Sequence, residues 1–259
     1  MQQQRRIHIM EICKEREVHL MRGEQGLDTK EINTRTWLWG ICGLFCLISS
    51  IYFFRSGELV SMLVCMGTVF LITLPCFAEK LFGFEMRRSF FVFCLLYAMG
   101  PMLGKAFKLY YVTNWWDKLL HTSGGFVFAA LGSYFAFRLN GKKDTSLALR
   151  AVFGLCFSIA LSAVWELFEY GVDCFFAADM QHDTVITAIN SHYLSDTAGG
   201  LHSIQGIREV ALNGVPLEVG GYLDIGLIDT MQDILVETCG ALVYFVWQMI
   251  DKDRHPLIQ

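Results

Sequence analysis

Three short stretches of this chain set ionisable residues at helical spacing. Trp116-Asp117-Lys118-Leu119-Leu120-His121 places Asp117 and His121 four residues apart. Trp165-Glu166-Leu167-Phe168-Glu169 places its glutamates three apart, and Asp229-Thr230-Met231-Gln232-Asp233 places its aspartates four apart. Residues three or four apart project from one face of an α-helix, so each set would be offered to a single surface. Five carboxylates and one imidazole are hard ligands that suit Zn²⁺, Mg²⁺, Mn²⁺ or ferrous iron, and there are enough of them for two ions. The candidate metal ligands are therefore Asp117, His121, Glu166, Glu169, Asp229 and Asp233. Lys118 is a candidate for binding an anionic substrate group. Neither the Glu-x-x-His pairs of ferritin-like bundles nor the His-Glu-x-x-His of zinc proteases occurs.

Simpler readings stand beside that one. Asp117 and Asp229 open their apolar runs, where a carboxylate favours the positive end of the helix dipole, and Asn114 suits a cap. A single His121 on an apolar face is commonly a packed, hydrogen-bonded residue. Glu166 and Glu169 differ, because they fall near a helix C-terminus, where the dipole opposes them, and they repel each other and Asp173. At membrane depth an ionised carboxylate costs about 3 kcal/mol on insertion scales. Protonation, a lysine such as Lys118 or Lys105, or a bound cation has to offset that cost, and the sequence leaves all three open.

The elements that must position these residues are membrane spans. The chain has 259 residues, is 54% hydrophobic and only 18% charged, and has a mean hydropathy of +0.40. A soluble domain carries nearer a quarter charged residues. A net charge of −4 gives no hint of a nucleic-acid partner. Most of the nine cysteines lie inside apolar runs, with no zinc-knuckle or disulfide spacing. A bilayer core needs about 20 apolar helical residues, and the candidates are 37–54, 59–77, 89–109, 116–137, 148–174 and 227–250. Gly100-Pro101 predicts a kink in the third.

The expected fold is all-α, a polytopic bundle of about six spans. Lys and Arg orient it: with a cytoplasmic N-terminus, 16 fall inside and 5 outside. Both termini are then cytoplasmic, with an N-terminal segment at 1–36, a transmembrane domain at 37–250 and a tail at 251–259. All three polar sets fall in the outer half of the bilayer, next to a long outer loop at 177–226. That loop is expected to be partly ordered. Asn213-Gly214 marks a tight hairpin, and 205–226 is expected to fold over the acids.

The pattern Asp117-x-x-x-His121-x-x-x-Gly125, then Trp165-Glu166-x-x-Glu169, then Asp229-Thr230-x-x-Asp233 with Gly240-Ala241, resembles the YjdF-like family of multi-spanning bacterial membrane proteins. The resemblance covers roughly 115–245. It implies a fold and a location in the cell membrane rather than a reaction, and Glu237 stands outside the shared pattern.

Three functions fit. The first is a metal-dependent membrane hydrolase or transferase acting on a lipid or lipid-linked substrate at the outer leaflet. The second is a cation- or proton-coupled transporter, although such sites usually lie near the midplane within an internal repeat, and no repeat is present. The third is a scaffold whose polar cluster ties helices together.

Overall fold

The computed structural model describes residues 34–141, 145–252 and 254–258. Most of the segment expected at 1–36, together with Lys142 and Lys143 from the charge count, lies outside them. The chain forms two compact units, one running to Trp116 and rejoined by the residues from His255, the other Asp117–Arg254.

In the first unit, α1 (Thr34–Arg55) turns at Gly57 into a second apolar rod, Leu59–Phe82. That rod divides into α2 (Leu59–Leu71) and α3 (Leu74–Phe82), where Pro75 sits in the first turn of α3. α4 (Arg88–Lys105) contains Pro101, and a single turn, α5 (Leu109–Val112), follows. Trp37, Ile41, Leu44 and Ile48 of α1 are all exposed. An apolar stripe turned outward along a helix is stable facing lipid and costly facing water. One end of the unit is pinned by a charge pair. Arg35 Nη2 is 2.6 Å from Glu79 Oε1, which also accepts from Met86 N, and the guanidinium lies 4.0 Å from the Phe91 ring centre. Arg87 N donates to Leu257 O, and Met86 bridges Ile258.

The second unit is built on α6 (Trp116–Leu139), α7 (Leu147–Phe176) and α8 (Leu227–Asp251). Small residues bring these helices close. A Cβ on Gly125 would meet the Glu237 carbonyl oxygen, and one on Gly240 would meet that of Thr122, so α6 and α8 touch backbone to backbone. Gly154 meets Ala129 O in the same way, and Ser158 Oγ donates to Gly125 O at 3.1 Å. The interior is polar: Ser133, Ser158, Ser162, Glu166, Glu169, Asp233, Glu237 and Gln248 are buried, while Leu167, Phe168, Leu235 and Val243 face outward. An apolar exterior around a small, polar interior is the pattern of helices associating in lipid.

Between α7 and α8 lie three antiparallel ribbons. β1 (Val185–Ile186) pairs with β6 (Tyr222–Leu223), β2 (Ala188–Ser191) with β3 (His202–Gln205), and β4 (Ala211–Leu212) with β5 (Val215–Pro216). The last is the expected Asn-Gly hairpin. Asn213 and Gly214 have φ of 52° and 81°, the left-handed pair a type I′ turn requires.

The protein is mostly helical, and four helices are long and apolar enough to cross a membrane: Thr34–Arg55, Leu59–Phe82, Leu147–Phe176 and Leu227–Asp251. The other two expected spans, 89–109 and 116–137, are also helical, as α4 and α6. They fall short in apolarity because α4 is only 18 residues between Arg88 and Lys105, and α6 carries Asp117, Lys118, His121 and Arg138.

Candidate functional site

The cluster assembles from the first turns of α6 and α8 and the last turns of α7. Periodicity accounts for each helix's share: Asp229, Asp233 and Glu237 descend one face of α8 at successive turns, and all three are buried. Asp117 and His121 do the same on α6, and Glu166 and Glu169 on α7.

Lys118 stands at the centre. Its Nζ lies 2.6 Å from Asp229 Oδ1, 2.7 Å from Asp233 Oδ1 and 3.2 Å from Asp117 Oδ2. His121 Nε2 is 3.8 Å from both Asp117 Oδ1 and Asp233 Oδ2, and its Nδ1 is 3.6 Å from Glu237 Oε2. One ligand atom from each of Asp117, His121 and Asp233 falls within 4.8 Å of the others, and the same holds for Asp117, His182 and Asp229. Either set could hold a cation.

On α7, Glu169 Oε1 accepts the Trp165 indole N–H at 2.7 Å. Glu166 is only 4% exposed, and neither of its oxygens has a hydrogen-bond donor in bonding geometry; Glu237 Oε1 is also without one. A buried carboxylate without donors carries its full desolvation cost, which makes these two acids the unbalanced members of the cluster.

The connection reaches the cluster through residues 180–182, and of the segment 205–226 expected to cover the acids only the end joins them: Asp224 N donates to Thr184 O, and Gly226 abuts Gln181. Asp173, just beyond the glutamates on α7, accepts from Met180 N and Gln181 N at 2.7 and 2.9 Å. Gln181 Nε2 donates to Thr230 Oγ1 at 2.6 Å, and His182 N to Asp229 Oδ2 at 3.2 Å. The β4–β5 hairpin is instead exposed throughout. A two-residue turn closes its own ribbon without needing another surface.

Sequence reasoning missed His182 and left Glu237 in doubt. Glu237 had a signal, the four-residue step continuing from Asp229 and Asp233. His182 had none, because it sits in irregular chain 47 residues from its partner Asp229.

A family model described as "Predicted membrane protein (DUF2238)" matches residues 36–254. It agrees with the membrane-family resemblance carried by the three motifs. Among curated proteins and among solved structures, none matches the chain.

Proposed function

The chain belongs to that predicted membrane protein family, and we propose that its Asp/Glu/His cluster holds a divalent cation and serves a hydrolase or transferase acting on a lipid or lipid-linked substrate. The observation that carries this reading is the convergence of Asp117, His121 and Asp233 ligand atoms within 4.8 Å. Glu166 and Glu169 add buried negative charge that a cation offsets. An ion here would polarise an ester or phosphoryl oxygen and supply a hydroxide at neutral pH. Lys118, already among the aspartates, would meet an anionic headgroup.

The proposed topology is six spans in the plasma membrane with a cytoplasmic segment 1–36, a membrane domain 37–250 and a cytoplasmic tail 251–259. The charge bias of 16 against 5 supports it. The pairing of Met86 with Ile258 is also in keeping with it, since the turn before α4 and the C-terminal residues would then lie on one side of the membrane. An even number of crossings must separate them, as α4, α6, α7 and α8 would make. α4, at about 1.5 Å per residue, is long enough to cross a thin bilayer core.

The test is thermal unfolding of detergent-purified protein, with and without a chelator. Chelation should lower the melting temperature, and titrating metal back should restore it with the logarithm of free metal over its dissociation constant. A wild type that holds no stoichiometric metal and ignores chelator would sink the reading. Reporter fusions at Gly141 and the C-terminus should report cytoplasm and one at Ser195 the outside; a cytoplasmic Ser195 would overturn the topology.

A second reading, a proton- or cation-coupled transporter, draws on the polar file along the helix interface. Glu237 lies one turn below Asp233, and Gln248 Nε2 donates to buried Ser133 Oγ at 2.7 Å nearer the other end of α8. Ion flux in proteoliposomes that stops in Glu237→Gln would favour it.

A further inference from the structure

Asp229 and Asp233 each turn one oxygen to Lys118 and the other toward a histidine, Asp229 Oδ2 also accepting from His182 N. The ammonium takes Oδ1 of Asp229 and Oδ1 of Asp233. The second oxygen of each turns to an imidazole: Asp233 Oδ2 is 3.8 Å from His121 Nε2, and Asp229 Oδ2 is 3.9 Å from His182 Nδ1. These gaps are too long for hydrogen bonds. They are shorter than the roughly 4.0–4.4 Å between two ligands on opposite sides of an ion about 2.0–2.2 Å from each, and slightly longer than the roughly 3.3–3.6 Å of a tetrahedral pair. The cluster is thus two half-sites on either side of one lysine, and Asp117 belongs to both.

We infer that the cluster is a two-ion centre, in which Asp117, Asp229 and His182 hold a second divalent cation beside the one held by Asp117, His121 and Asp233. The inference rests on the reading of the first ion above. Charge supports the second. With every carboxyl ionised and His121 neutral as a metal ligand, Asp117, Glu166, Glu169, Asp229, Asp233 and Glu237 bring six negative charges. Lys118 and one divalent ion supply three positive charges, whereas Lys118 and two ions supply five. Independently, Glu166 is 4% exposed with no donor in bonding geometry to either oxygen, and Thr230 and His121 stand near it together with Asp229 and Asp117 of the second half-site. A buried anion left without donors beside a carboxylate–imidazole set calls for a cation.

Mixed oxygen and nitrogen ligands suit Zn²⁺, Mn²⁺ or ferrous iron over Ca²⁺. Paired ions clamp one oxyanion from two sides, an arrangement used on phosphoryl groups, and the ligand class we assign is a phosphate ester. His182 also makes the second half-site conditional. Its side chain is 40% exposed, and it reaches Asp229 only because Asp173 and Thr230 hold Met180 and Gln181 in place.

Mn²⁺ binding to full-length protein in detergent tests this, by equilibrium dialysis and electron paramagnetic resonance. Wild type should take up two ions per chain and give the spectrum of a magnetically coupled pair. His182→Ala keeps the backbone donation to Asp229, so it should fold, bind one ion and give an uncoupled spectrum. His182→Asp, which restores a ligand, should recover the second ion. Inorganic phosphate should tighten Mn²⁺ binding at least tenfold in wild type and leave His182→Ala unchanged; no effect on wild type would overturn the phosphate assignment. One ion in wild type, retained in His182→Ala and lost in His121→Ala, would overturn the second half-site and leave the first standing. No ion at all would remove both.

Discussion

Two part-buried charge clusters, one in each unit, are built to opposite rules. Arg35 and Glu79 form a closed pair: one carboxylate oxygen takes both the guanidinium and Met86 N, and the cation rests on the Phe91 ring. Lys118 faces three aspartates at once, with His121 and Glu237 behind them and Glu166 without a donor. A pair in low dielectric repays its desolvation only where good geometry is joined by further hydrogen bonds, as Met86 N provides here. An unbalanced cluster does not, and on the two-ion proposal the missing charge arrives as bound cations. Four helical glycines show a packing contrast beside the electrostatic one. Gly40 and Gly67 of the first unit have nothing within 4 Å of an added Cβ, whereas Gly125 and Gly240 of the second are closed by backbone.

The largest effect expected from breaking this contrast belongs to Lys118→Met. Stripped of metal, the variant should lose about 3 kcal/mol of unfolding free energy in a denaturant titration, because Asp229 and Asp233 are left facing each other without a cation. Added Mn²⁺ should recover part of the loss, and a cost below about 1 kcal/mol would mean that the aspartates do not depend on the ammonium.

Next is Gly125→Ala, expected to cost about 2 kcal/mol, since the obstacle is the Glu237 carbonyl rather than a side chain that can move. Gly67→Ala in α2 should instead stabilise by about 0.5 kcal/mol. Equal effects at the two sites would remove the packing difference between the units.

Arg35→Met should cost about 1.5 kcal/mol, because Glu79 keeps Met86 N as a donor. That cost should be the same with and without chelator, and a metal-dependent cost would break the distinction between the clusters.

The smallest change is expected from Glu166→Gln without metal, which removes a charge that has no donor. Its melting temperature should equal or slightly exceed that of stripped wild type, while its response to added metal falls. A loss larger than about 1 kcal/mol would show that the Glu166 charge is already compensated by the protein itself.

How much of this was legible in the sequence depends on distance along the chain. Asp117 with His121 and Asp229 with Asp233 were readable because helical spacing alone puts each pair on one face. Glu237 was equally readable as the next step of the same series. The hairpin at Asn213-Gly214 was readable because few residues adopt positive φ at low cost. The cover over the acids is legible only at its end, where Asp224 and Gly226 meet Thr184 and Gln181, because a tight turn announces itself in sequence while the irregular run 180–182 does not. α4 and α6 were expected as spans on the same footing as the others. They prove to be helices of lower apolarity, since polar residues at helix ends and on the buried face dilute hydropathy without disturbing the helix.

What the sequence by itself determined is what local chemistry and lipid dictate: a helical membrane protein, three acid-bearing helices, and the face on which each carries its acids. These follow from side-chain transfer energies and a period of about 3.6 residues, neither of which needs the partner to be known. What only the tertiary structure decided is which acids share a cation. Lys118 meets Asp229 and Asp233 across 111 and 115 residues, and His182 reaches Asp229 through a turn held by Asp173. Gly125 and Gly240 allow α6 and α8 to close to backbone contact. Those meetings depend on rotation and depth between helices, which no single helix's pattern encodes.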